Sequence, residues 1–244
     1  MAVKPSKLFY LAVFLGLIIS MILFALPQFE DKVLSSKQAT IIEQLEKTFT
    51  QKDTVDVKAA SVGEACAVLS IPDIGLEVPV YYGTSEIILN QGIGVLEGTS
   101  DINGGMGKHA VLTGHRGLSE KQLFTNLPKL KKGAYFNIKV SEGVHYYRID
   151  KIQEVKADDL QANPERYIAS TETEDYITLF TCTPLYINSH RLLVRGHRVK
   201  APKKVVVNKK QSIHLNNVIL IGVLVSMAVI SLAIFLFLKR RRYV

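Results

Sequence analysis

The stretch from Tyr176 to Arg198, YITLFTCTPLYINSHRLLVRGHR, reads as two β-strands joined by a polar loop. An apolar, β-branched run ends at Thr181-Cys182, a Thr-Pro turn follows, and a second run begins near Leu192. Working outward, the same kind of short run recurs at Cys66–Ile71, Val78–Tyr82, His109–Thr113, Tyr135–Val140 and Val144–Val155. Ser141-Glu142-Gly143 supplies the turn between the last two. A short helix is expected at Ser85–Gln91, and a turn or two around Lys121–Leu127. Closely spaced strands with few helices predict a mainly β domain over residues 65–200, a barrel or a sandwich.

On the N-terminal side, residues 28–64 are polar and form a helical, lid-like segment. Within Lys37–Phe49, Ile41, Ile42, Leu45 and Phe49 share a helical stripe, with Thr40 as a candidate cap. Further out lie two uncharged apolar runs, 8–26 and 218–238. Each is long enough for a helix to cross a hydrocarbon core of about 30 Å. Basic ends at 1–7 and 239–244 and a basic tether at 201–217 complete the chain. The positive-inside rule places both ends in the cytoplasm and the domain on the extracellular face of the cell membrane. The alternative for 8–26 is a cleaved signal peptide, but the run is longer than an ordinary signal core and no clean A-x-A site follows it. The chain has 30 Lys+Arg against 22 Asp+Glu. All the acids fall between 28 and 212, where 24 cations remain, so the excess charge belongs to the termini and nucleic-acid binding is set aside.

Cys182 ends a strand, and the next strand carries Arg191, Arg195 and Arg198. Nearby positive charge favours thiolate over thiol, which is what a nucleophilic cysteine needs. Among six histidines His115 stands out, because it follows a strand in the setting TGHRGL. A Cys–His pair with a cationic oxyanion stabiliser can carry acyl transfer through a thioester. The plainer alternatives are a buried strand cysteine and solvated arginines, or Arg195 and Arg198 as partners of Asp158, Asp159 or Glu165. Cys66 lies in an apolar run and reads as a small buried hydrophobe, with a disulfide to Cys182 as the alternative. His190 and His197 do not have zinc-knuckle spacing to Cys182, so no metal is expected. His109, His145 and His214 have no motif around them and read as surface residues. Asp158-Asp159 falls in a loop-like stretch with nothing to support acid–base work.

These residues resemble a known family. Thr178-Leu-Phe-Thr-Cys182 is similar to the TLxTC signature of sortases, the cysteine transpeptidases of the Gram-positive surface, and His115 occupies the place of their histidine. The run CTPLYINSHRLLVRGHR and the upstream Ile71–Ser100 resemble class C sortases, which polymerise pilins; the likeness covers about residues 66–199. It implies a closed eight-stranded β-barrel with short helices, flanked here by N- and C-terminal transmembrane helices. It implies Cys182 as nucleophile, His115 as acid and base, and Arg191 as the catalytic arginine that binds substrate or oxyanion, with Thr181 as an added donor. The implied partners are an LPxTG-like sorting signal and a pilin lysine, or a peptidoglycan amine for a housekeeping sortase that anchors proteins to the wall; no cofactor is called for. Class C enzymes carry a lid with an Asp-Pro-aromatic motif, and none of the eight prolines here follows an Asp. A non-catalytic, membrane-tethered pilin-binding module and a hydrolysing cysteine peptidase are the competing classes.

Overall fold

A computed structural model describes residues 7–50, 63–117 and 123–202. Eight strands close into one barrel in the order β1-β2-β3-β4-β7-β8-β6-β5. They are β1 (Ala65–Ile71), β2 (Leu76–Tyr82), β3 (Ile93–Val95), β4 (Lys108–Thr113), β5 (Tyr135–Val140), β6 (Gly143–Lys156), β7 (Asp175–Thr183) and β8 (His190–Val199). Helices are α1 (Lys7–Thr50), α2 (Glu86–Leu89), α3 (Ala157–Ala162) and α4 (Glu165–Ile168). Most neighbours are antiparallel, but β2 pairs with β3 and β4 with β7 in parallel. Closure removes the sheet edges that an open arrangement would have to protect. Of the barrel and the sandwich, the chain forms the barrel.

Strand alternation sorts each side chain to the inside or outside. On β7, Ile177 and Leu179 are buried in the core, and on β8 so are Leu192 and Val194. Phe136 and Tyr147 stack across β5 and β6 with ring centroids 5.4 Å apart. Gly196 faces that stack, where a Cβ would lie 2.7 Å from Phe136 Cε1; the interior has no room there for a side chain. The other faces of β4, β7 and β8 point outward and carry His115's neighbours, Cys182 and Arg191.

The N-terminal segment differs from expectation. The stripe of residues 37–49 is the far end of one continuous helix, α1, and not a separate element. Thr40 does not cap it, since its hydroxyl donates back to Ser36 O at 3.0 Å inside the helix. This end of α1 lies against β1 and β2. Glu46 pairs with Lys139 of β5 at 2.6 Å, and Gln38 donates to Gln91 O at 2.7 Å. These partners of the expected lid lie on β1, β2, β5 and just after α2, and none of them is Cys182, His115 or Arg191. The apolar run 8–26 lies inside α1, while 218–238 falls outside the described residues. Among the described residues, no helix is long and apolar enough to cross a membrane.

Two polar expectations are also corrected. His109 and His145 are not surface residues; they are 2% and 7% exposed. His214 lies outside the described residues. Arg195 pairs with Asp150 at 2.5 Å and Arg198 with Asp175 at 3.0 Å, so neither reaches Asp158, Asp159 or Glu165. Asp158 and Asp159 sit on α3 and not in a loop, and Asp159 accepts hydrogen bonds from Tyr167 and Asn163.

Burial holds both His109 and His145 below the usual imidazole range, with Arg198 adding to the effect at His145. Below about pH 6.5 the unfolded chain therefore binds protons that the folded chain refuses. Stability is expected to be full at neutral pH and to fall as pH drops below that value. Urea midpoints at pH 7.5 and pH 5 check this; His145→Asn should flatten the difference, and a midpoint that rises on acidification would contradict it.

Candidate active site

Three adjacent strands bring the predicted residues together. In the parallel β4–β7 register Thr113 faces Phe180, and Gly114 N donates to Phe180 O at 3.3 Å, which continues the ladder one step beyond β4. The next step brings His115 level with Cys182. On the other side, Cys182 and Arg191 are direct partners in the antiparallel β7–β8 register. Alternation gives His115, Cys182 and Arg191 the same outward face. Cys182 is a free, half-buried thiol. Cys66 is free and buried, its Sγ donating to Val80 O at 3.4 Å; burial, with Asp101 nearby, pushes its thiol up to about 12. No disulfide links the two, and Cys66 is the inert small hydrophobe that its sequence context suggests.

Arg191 is held by its own loop. Its Nη1 donates to Asn188 O at 2.6 Å and to His190 O at 3.0 Å. Asn188 supplies that carbonyl from a left-handed conformation, φ 58°, which asparagine tolerates better than most residues. His115 Nε2 is shielded and has no hydrogen-bond partner; Glu86 Oε2 lies 3.8 Å away, beyond hydrogen-bond reach. An unpaired ring nitrogen at the end of the strand next to Cys182 is free to take or give a proton.

Thr181 has a different place from the one expected. It points inward, is 1% exposed, and its hydroxyl donates to Gly114 O at 2.7 Å. Its one proton is committed there, so it fixes the backbone just before His115 and does not serve as a donor to the site.

Sequence reasoning missed Arg116. Its Nη1 donates to Thr183 Oγ1 at 2.7 Å and to Cys182 O at 3.4 Å, tying the turn after β4 to the end of β7. The signal was its position beside His115 in TGHRG. Gly117 follows at φ 81°, and a Cβ there would lie 2.0 Å from Leu185 Cδ1, so the His115 turn and the β7–β8 loop touch without an intervening side chain. Arg116→Ala is expected to slow acyl-enzyme formation about tenfold, as for a charged hydrogen bond of ~1.5 kcal/mol. Single-turnover rates check this, with Arg116→Lys recovering part of the loss; an unchanged rate in the Ala variant would contradict it.

An apolar cleft of about 240 Å³ runs along the same outer face. Val111, Phe180 and Leu193 form its floor; Leu160, Pro164 and Ile168 form a roof over it. Arg191 lines it too, and so links the cleft to Cys182. Such a groove offers apolar surface to a substrate alongside the strand end that carries Cys182.

Comparison with known proteins agrees with this geometry. The family model for the sortase domain matches residues 69–199. The chain is 29% identical to sortase A of Bacillus anthracis over 156 residues, 63% of this chain and 70% of that one. It is similar to the solved sortase C1 of GBS pilus island 1, at 34% identity and a TM-score of 0.60, covering 69% of this chain and 95% of that one. It is also similar to Clostridium perfringens sortase C, solved with its C-terminal cell wall sorting motif, at 35% identity and a TM-score of 0.54, covering 66% and 88%.

Proposed function

The chain belongs to the sortase family of cysteine transpeptidases, and on that premise we propose that it assembles pili from the outer face of the membrane. The donor is an LPxTG-like sorting signal whose apolar residues lie in the cleft. Cys182 Sγ attacks the Thr carbonyl; the Thr–Gly bond breaks, and His115 gives a proton to the departing glycine amine. Arg191, fixed by two carbonyls, faces the oxygen on which charge develops. A lysine amine of a pilin subunit then attacks the thioester, His115 takes its proton, and the Cys182 sulfur leaves. Water is present at ~55 M, so transfer depends on positioning the amine and keeping solvent away.

The observation that carries this reading is the common outward face of His115, Cys182 and Arg191 beside one apolar cleft. The pilin acceptor is supported by the class C character of the similar structures. The apolar runs 8–26 and 218–238 support anchoring by two membrane spans with both termini cytoplasmic. The test incubates the full chain in detergent with an LPxTG peptide and a lysine-bearing pilin, followed by mass spectrometry. An isopeptide-linked product supports the polymerase; transfer only to small wall-like amines supports the housekeeping alternative, and absence of cleavage contradicts both.

A further inference from the structure

The cleft has a floor on the barrel and a roof made by residues 157–169, and one buried histidine joins them. His109 lies on β4 with its side chain on the outer face, two residues from the floor residue Val111. Its Nδ1 is 2.9 Å from the carbonyl oxygen of Ala169, the residue that ends α4. Its Nε2 is 2.8 Å from Thr178 Oγ1 on the neighbouring strand. A carbonyl can only accept, so Nδ1 carries the proton and donates to Ala169, while Nε2 accepts from the Thr178 hydroxyl. Burial keeps the ring neutral, consistent with that pattern.

The roof has little else to hold it. Neither α3 nor α4 buries a residue. Its inner ties are local, from Asn163 and Tyr167 to Asp159. At its start, Ala157 N donates to Ser189 O at 3.1 Å, two residues before Arg191. At its end stands the bond between Ala169 and His109. Leu160, Pro164 and Ile168 line the cleft between these two anchors. A segment with few buried contacts opens locally at small cost unless its ends are pinned.

We propose that His109 is a positioning residue for the donor peptide: by holding Ala169 O it keeps Pro164 and Ile168 over Phe180 and Val111, and so sets the width of the cleft. The inference rests on the sorting-signal reading of that cleft. It predicts an effect on peptide binding in place of an effect on the chemical step.

The test uses the full chain with Asn and Gln at position 109. Asparagine places a donor where Nδ1 stands and keeps the bond to Ala169; glutamine carries its amide out toward Thr178 and loses it. H109Q is expected to raise KM for an LPxTG peptide about fivefold, the loss of one buried neutral hydrogen bond, with kcat little changed. H109N is expected to recover most of the wild-type KM. Should H109Q not fold by urea unfolding, His109→Ser, equally short of Ala169, takes its place with the same expectation. Equal KM in the Gln and Asn variants overturns the inference, as does a fall in kcat alone. Failure of both Gln and Ser variants to fold overturns it as well, since His109 would then serve the barrel and not the cleft. A wild-type chain that forms no acyl-enzyme with the peptide instead overturns the transpeptidase mechanism on which the inference rests.

Discussion

Cys182→Ala is expected to abolish peptide cleavage and transfer, a loss of more than about 1,000-fold, while the barrel stays folded. The Cys182 sulfur is the proposed nucleophile at this strand end, and the chain's one other cysteine cannot replace it. Cys66 is buried on β1, with burial pushing its thiol up to about 12, so it offers almost no thiolate at neutral pH. The structural cost of the substitution is small because Cys182 is half-buried on the outer face and loses one sulfur without opening the core. Product analysis and urea unfolding of the same preparation separate the two effects. Residual turnover near the wild-type rate would mean that the nucleophile lies elsewhere.

Arg191→Ala is the second large effect, a fall in acyl-enzyme formation of about 100- to 1,000-fold, as for loss of an oxyanion donor. Two carbonyls orient the guanidinium through one nitrogen, Nη1, which leaves its other N–H groups for the substrate. Arg191→Lys recovers little, because a single ammonium cannot bond those two carbonyls and the substrate oxygen in the same fixed plane. Single-turnover kinetics with the sorting peptide measure this. A Lys variant as fast as wild type would show that charge alone matters and that the anchoring geometry does not.

The strands around Cys182 were legible because their apolar alternation and the Thr-Pro turn are local signals. The same alternation, once the strands are paired, explains why residues far apart in sequence share one face: His115 extends β4, and Arg191 begins β8. What alternation does not reveal is the depth of a polar residue. His109 sits on an outer face like His115, yet it is buried because a roof crosses it, and nothing in KHAVLT announces that roof. In sequence the Asp158-Asp159 stretch of the roof reads as loop-like, since α3 buries no residue and so has no apolar stripe. β3 was missed for a similar reason: three residues are too few to show a period. The site residue Arg116 was visible beside His115, but its bonds to Cys182 and Thr183 exist only after the parallel β4–β7 pair has formed. The resemblance implies Thr181 as a donor beside the nucleophile, although neighbouring residues on a strand face opposite ways.

On the proposed mechanism, Cys182 forms a thioester with a sorting signal and passes the acyl group to an amine. Intact-mass spectrometry of the full chain, mixed with an LPxTG peptide and quenched in acid, tests it most directly. The expected product is an adduct equal in mass to the peptide acyl group ending at Thr, mapped to Cys182 and consumed when a lysine amine is added. No adduct, or an adduct that survives in Cys182→Ala, would contradict it.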